Sequence, residues 1–257
     1  MQNVRARVGI ALAAVGAVAL AILFAVRIAG TEGAGLTVTR ACGSVCFVGV
    51  ILYLGYRPKT DMTSPWGMAA IGIALVVAVN NMPILPLLTG EARVTAGAGE
   101  IAAYAVESLL VGVFEETAFR GVLLLAVVER YGKTKKELFL SAVITSAVFG
   151  ASHLFNLFGG AGFGPTLLQV SYSFLIGGMC SLVLLLSGSL SACVLIHAIY
   201  DFGGYLVPRL GVGKIWTVPE ITLTAAVGIA ALAFFLAAAR NLSPEAAARM
   251  TNAADAK

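Results

Sequence analysis

Apolar runs of about 20 residues recur along this chain, and a run of that length crosses the hydrocarbon of a bilayer as a helix. Eight candidates can be marked: Val8–Val26, Ala41–Tyr56, Trp66–Leu88, Ile101–Val128, Leu138–Leu157, Leu167–Leu186, Leu190–Val207 and Ile221–Ala239. A backbone inside lipid has to satisfy its own polar groups, so the expected fold is all-α, a polytopic membrane helix bundle of about eight transmembrane helices. Composition agrees. Only 12% of the residues are charged while 59% are hydrophobic, whereas a water-facing domain carries about 25% charge. The 257 residues read as one transmembrane domain, 1–257, with no separate soluble unit. The net charge of +4 comes without a basic block or basic–aromatic pattern, so a nucleic-acid partner is not expected.

The first run follows Arg5 and Arg7, as a secretory signal would, but it outlasts a signal's apolar core. A retained anchor is the favoured reading. With the N-terminus in the cytoplasm, eleven Lys and Arg fall on the inner side: Arg5, Arg7, Arg57, Lys59, Arg130, Lys133, Lys135, Lys136, Arg240, Arg249 and Lys257. Five fall outside: Arg27, Arg40, Arg93, Arg209 and Lys214. That bias puts both termini in the cytoplasm. The Ala-, Gly- and Val-rich composition fits a bacterial plasma membrane. Cys42, Cys46, Cys180 and Cys193 lie in apolar runs and form neither a CxxC pair nor a disulfide framework, so they read as small core residues. The tail after Arg240 reads as a short frayed helix in water.

Ionisable groups at bilayer depth carry the functional information. The fourth run holds Glu107, Glu115, Glu116 and Arg120; each charge at the centre of a span costs about 2.5–3.5 kcal/mol, so it faces a cavity or a partner. Glu116 and Arg120, four apart, share a helical face and can pair. Glu115 lies about 100° away and is left without a local partner, which suits a general acid or base. The chain's two histidines, His153 and His197, also lie in apolar runs, and His197 shares a face with Asp201. Taken singly, each feature is as readily a structural staple. Three runs that each bring titratable groups to compatible depth point instead to a polar intramembrane cavity. Glu107 reads as lining its entrance, and Asn80 and Asn81 as interhelical hydrogen bonders. The segment Gly159 to Pro165 lacks the Lys-Ser/Thr of a phosphate loop and reads as a flexible connector.

Glu115 to Arg120 (EETAFR) is an EExxxR motif, Phe149 to His153 (FGASH) an FxxxH motif, and His197 to Asp201 (HAIYD) an HxxxN/D motif. In this order, on separate spans, they resemble the CAAX protease and bacteriocin-processing (CPBP, Abi) family of intramembrane proteases, which includes the Rce1-like prenyl-protein endopeptidases. The motif-bearing core is about residues 101–207. The resemblance implies an endopeptidase that hydrolyses a peptide bond in a membrane-anchored or lipidated protein or peptide. Glu115 would activate the attacking water with help from His153. Glu116 and Arg120 would be the supporting pair, and His197 with Asp201 would stabilise the oxyanion. Asp201 stands where the best-known members have Asn, and orienting His197 is its alternative role. No cofactor is expected, with zinc at Glu115, His153 and His197 as the alternative. Two other functions fit the buried charges less well: a proton-coupled transporter, which calls for inverted repeats, and a non-catalytic immunity or scaffold protein.

Overall fold

The computed structural model describes residues 34–251 together with Ala6, Gly9, Ile10, Ala13, Ala14, Gly16 and Ala17. The first expected span, Val8–Val26, otherwise lies outside the described residues. The rest is a helix bundle. Helices α1 (Ala34–Leu54), α2 (Pro65–Asn80) and α3 (Ile84–Thr89) are followed by a long rod made of α4 (Ala98–Glu116), a π-helical segment (Thr117–Leu124) and α5 (Leu125–Tyr131). Then come α6 (Lys135–Ser152), running on into a 3-10 turn at His153–Gly159, α7 (Phe163–Ser187), α8 (Leu190–Leu210), α9 (Val218–Ala238) and α10 (Pro244–Met250).

The polar punctuation explains where these helices start and stop. Ser64, Thr134, Ser189, Thr217 and Ser243 each accept a hydrogen bond from the exposed backbone N–H groups of a helix start. Gly188 closes α7 in the left-handed region at φ 66°, where a Cβ would also collide with the Lys59 carbonyl. Among the described residues, five helical stretches are long and apolar enough to cross a bilayer: Thr37–Leu54, Lys135–Gly159, Phe163–Ser187, Leu190–Leu210 and Val218–Asn241. The Pro65–Asn80 helix is apolar but shorter, and α4 is the rod that carries the buried charges. Large apolar side chains such as Leu52, Tyr53, Phe163, Leu168, Val218 and Ile229 point outward, as a lipid-facing surface requires.

The structure departs from the sequence expectations at four places. The run Trp66–Leu88 is broken at Asn81–Pro83, because Pro83 cannot donate to a continuing helix. Short strands β1 (Ala92–Val94) and β2 (Gly211–Gly213) pair antiparallel and tie the connector after α3 to the end of α8. As far as Thr251 the tail is not frayed: Ala247 and Met250 of α10 are buried, and the Arg57 N–H donates to the Met250 carbonyl at 2.8 Å. Cys180 and Cys193 are buried as expected, but Cys42 and Cys46 are exposed on α1.

At the centre, α4 packs antiparallel on α8, and α6 packs on α7. Small residues permit the approach, since in lipid close backbone packing replaces the hydrophobic drive. A Cβ on Gly112 would lie 2.7 Å from the Val194 carbonyl of α8, and one on Gly150 would lie 2.8 Å from the Val170 carbonyl of α7. In α2 the small residues Gly67, Ala70, Ala74 and Ala78 are buried, and that helix packs against α7 and α8. Asn80 and Asn81 donate to the Thr224 hydroxyl (3.2 Å) and the Tyr200 carbonyl (2.8 Å), the interhelical role the sequence suggested.

The packing at Gly112 leads to an expected outcome. Gly112→Val forces α4 and α8 apart and is expected to cost about 1–3 kcal/mol, the usual range for overpacking. A Cβ on Gly72 meets nothing within 4 Å, so Gly72→Ala serves as the control. Thermal unfolding in detergent should show a lower Tm for the first variant and none of that loss for the second. Equal Tm values would contradict the close α4–α8 contact.

Candidate active site

The site forms where the end of α4, the π segment, α6 and α8 meet. Glu115 and Glu116 are the last residues of α4, and Arg120 follows inside the π segment, all of whose residues are buried. A π turn replaces i→i+4 backbone bonds by i→i+5 bonds and is frequently found at functional sites. Here it begins directly after the two glutamates. Glu116 and Arg120 are almost entirely buried and pair at 3.0 Å. The same Glu116 oxygen, Oε1, accepts a 2.6 Å hydrogen bond from His197 Nδ1. The carboxylate thus ties α4 to the π segment and to α8.

With Nδ1 committed to Glu116, His197 turns Nε2 the other way. Glu115 Oε2 lies 3.3 Å and Asp201 Oδ2 3.6 Å from it. The Glu115 and Asp201 side chains are partly exposed, at 21% and 23%, whereas His197 is buried. The two carboxylates are therefore the partly open members of the cluster, and the imidazole lies behind them. Glu115, which has no partner within its own helix, has His197 as its neighbour. The acid that orients His197 through Nδ1 is Glu116; Asp201 meets the opposite nitrogen.

His153 enters from the end of α6. Its Nδ1 lies 3.1 Å from the Phe149 carbonyl; since a carbonyl only accepts, Nδ1 carries the proton and a neutral ring leaves Nε2 as a lone pair. Both histidines set an edge on the Phe149 ring, His153 at 5.1 Å and His197 at 5.8 Å between centroids. The Arg120 guanidinium stands 4.6 Å over that ring, and Phe119 packs against it at 4.8 Å. A desolvated cation–π contact of this kind is worth about 2 kcal/mol. Phe149 is thus the common surface of the three motifs, a part the sequence alone did not assign to it. The signal was present: Phe149 lies one helical turn before His153, on the same face. Gly177 of α7 leaves room for Arg120, since a Cβ there would come within 2.9 Å of Nη2.

Donor geometry bears on metal ligation. Among the described residues, the group of His, Cys, Asp or Glu whose ligand atoms converge within 4.8 Å is Glu116, Cys180 and Cys193, not Glu115, His153 and His197. That group suits packing better than a cation. The Cys193 thiol donates to the Cys180 and Ser189 carbonyls at 3.2 and 3.3 Å, and Glu116 already faces the Arg120 charge.

A second polar station lies further along the same helices. Glu107 of α4 pairs with Arg209 of α8 at 3.1 Å and with Arg40 of α1 at 3.5 Å. Tyr104 links the two stations. Its ring lies under the Arg209 guanidinium at 5.1 Å, and its hydroxyl donates to the Asp201 backbone carbonyl at 2.9 Å.

Fold and site together define an integral membrane protein with an acid–histidine cluster sunk in a helix bundle. Residues 97–203 match the family described as type II CAAX prenyl endopeptidase Rce1-like. The matched segment opens at the N-cap of α4 and closes within α8, so it contains Glu115, Glu116, Arg120, His153, His197 and Asp201. Over this segment the chain is similar to the Rce1-like CAAX prenyl endopeptidases, a family of intramembrane proteases. Comparison with curated proteins and with solved structures gave no match.

The buried Glu116–Arg120 pair can be tested through its energetics. Removing one member of a buried pair typically costs about 3–5 kcal/mol, because the other charge is stranded. Arg120→Met is expected to destabilise the protein on that scale, and Glu116→Gln combined with Arg120→Met to recover part of the loss. Unfolding in detergent of both single variants and the double variant reads this out. Strictly additive losses would contradict the pairing.

Proposed function

We propose that this protein hydrolyses a peptide bond of a membrane-anchored or lipidated protein or peptide, with water activated by Glu115. The observation that carries the proposal is the placement of one imidazole between Glu116 on one side and the open carboxylates Glu115 and Asp201 on the other.

In the proposed reaction a water beside Glu115 gives its proton to that carboxylate as its oxygen attacks the scissile carbonyl carbon. The His153 Nε2 lone pair holds the same water in line. His197, as an imidazolium, donates from Nδ1 to Glu116 and from Nε2 to the oxyanion that forms. A donor aimed at developing negative charge, in a site shielded from bulk water, commonly does more than any other single group to lower the barrier of such a reaction. The tetrahedral intermediate collapses with cleavage of the C–N bond, and the proton held by Glu115 passes to the leaving amine. Asp201 offsets the imidazolium charge and lines the cavity. Glu116 and Arg120 position His197 and do not touch substrate. The chemistry needs no metal on this reading. Both termini are placed in the cytoplasm on the balance of Lys and Arg between alternate connectors.

The test is cleavage of a quenched fluorescent, lipid-anchored peptide by the purified protein. Glu115→Gln is expected to lower kcat by about 10²- to 10⁴-fold, the typical share of a general base. Asp201→Asn, which keeps shape and removes charge, should retain most of the activity. A metal chelator should leave the wild type active. Full activity in Glu115→Gln would remove the base assignment, and loss with chelator would favour zinc held by Glu115, His153 and His197.

A further inference from the structure

Three atoms of the buried Glu116–Arg120 pair take no part in the interactions described so far. Arg120 Nη1 and Nη2 and Glu116 Oε2 are shut off from solvent, and among the described residues none of them has a hydrogen-bond partner. The 3.0 Å approach of Nη1 to Glu116 Oε1 is an ion pair without hydrogen-bond geometry. Charged groups buried in that state are costly, and native proteins rarely leave them so.

Two serines stand beside these atoms. Ser146 of α6 and Ser181 of α7 are each 1% exposed. A Cβ on Gly177 would lie 2.9 Å from Arg120 Nη2 and 3.3 Å from Ser146 Cβ, and Ser181 follows Gly177 by one helical turn. The Ser146 hydroxyl donates to the Ala142 carbonyl at 2.6 Å, and the Ser181 hydroxyl to the Gly177 carbonyl at 2.8 Å. A hydroxyl has one proton, and these short bonds take it in preference to the 3.4 Å contact between the two serine oxygens. The oxygens therefore face each other as acceptors, an arrangement that calls for a donor from a third group.

The leftover groups match one kind of ligand. The Arg120 N–H groups need an acceptor, while Glu116 Oε2 and the serine oxygens need donors. Glu116 and Arg120 already cancel in charge, so the place suits neither a cation nor an anion. Water is neutral, small, and both accepts and donates; a buried one typically makes about three hydrogen bonds to groups of this sort. We infer that a buried water, accepting from Arg120 and donating to Glu116 Oε2 and a serine oxygen, is a fixed part of the site. Ser146 and Ser181 act through it as positioning residues for His197.

The water site stands on this geometry, whereas its effect on turnover rests on the protease reading above. Glu116 Oε1 accepts from His197 Nδ1 at 2.6 Å. Fixing Oε2 and the guanidinium stops the carboxylate from turning, and so holds Nε2 toward Glu115 and Asp201. By this route Ser181 of α7, a helix that supplies no group to the proposed reaction, bears on the imidazole of α8.

A plainer role has to be separated from this one. A serine in a helix can donate to the carbonyl one turn back simply to satisfy its own hydroxyl, as Ser44 does to the Arg40 carbonyl at 2.8 Å. If Ser146 and Ser181 did no more, their oxygens would be dispensable for turnover. Two measurements on the whole chain in detergent decide. A crystal structure that resolves ordered waters is expected to show one within about 2.7–3.2 Å of an Arg120 Nη atom and of Glu116 Oε2. Protein atoms alone around those groups would overturn the water site. Cleavage of the quenched, lipid-anchored peptide is then compared between Ser146→Val and Ser146→Thr, and between Ser181→Val and Ser181→Thr. Valine and threonine have nearly the same shape, so each comparison isolates the hydroxyl. Each threonine variant is expected to have a kcat about tenfold above its valine partner, the size of one lost hydrogen bond, at unchanged KM. Ser44→Val and Ser44→Thr should turn over alike. Where a valine variant does not fold, the alanine variant is compared with the wild type, with the same expectation. Equal kcat in either pair would overturn the role of that serine, and a Ser44 pair that differs as much would overturn both. No cleavage by the wild type would overturn the protease reading and with it the effect on turnover, while the crystal structure still decides the water site.

Discussion

The site depends on one fully buried carboxylate. Glu116 Oε1 takes both the Arg120 guanidinium at 3.0 Å and the His197 Nδ1 proton at 2.6 Å, in a place shut off from solvent. Each of these groups would be costly to bury alone. Together they offset one another, and the charge of Arg120 is spread further over the Phe149 ring. The arrangement has a functional consequence. It fixes which His197 nitrogen faces inward, and so leaves Nε2 with Glu115 and Asp201 at the partly open side of the cluster.

The surrounding bundle is built to let that contact form. Gly112 and Gly150 bring α8 onto α4 and α7 onto α6 at backbone distance, and Gly177 leaves space for the end of Arg120. The π segment starts at the residue after Glu116, so the widened turn and the buried arginine occupy the same stretch of chain. On the outer side the same helices expose leucine, isoleucine, valine and phenylalanine. Polar residues are therefore concentrated between helices, in contrast to a soluble bundle, and α4 and α8 bring ionisable ones together at two stations.

Much of this was legible in the residues. The apolar runs predicted the helices, because a span has to be long, apolar and internally hydrogen-bonded. The i,i+4 spacing predicted the Glu116–Arg120 pair, and intramembrane cost singled out Glu115, His153, His197 and Asp201. The parts that stayed hidden depend on contacts between distant segments or on backbone choices without a side-chain code. Nothing in Thr117–Leu124 marks a π turn. Glu116 and His197 lie 81 positions apart, so the contact that orients the imidazole has no local spacing to reveal it. The joining of Glu107 to Arg40 and Arg209 is hidden for the same reason. The Pro244–Met250 stretch of the tail, misread as frayed, is short and alanine-rich, and its docking through Ala247 and Met250 explains its order.

A single turnover in water enriched in ¹⁸O tests most directly whether Glu115 activates water or attacks the peptide itself. The cleaved peptide and the protein are then separated and weighed by mass spectrometry. Water attack assisted by Glu115 predicts one ¹⁸O in the new carboxylate of the product and none in Glu115. Label in the Glu115 carboxylate, with unlabelled product, would contradict it.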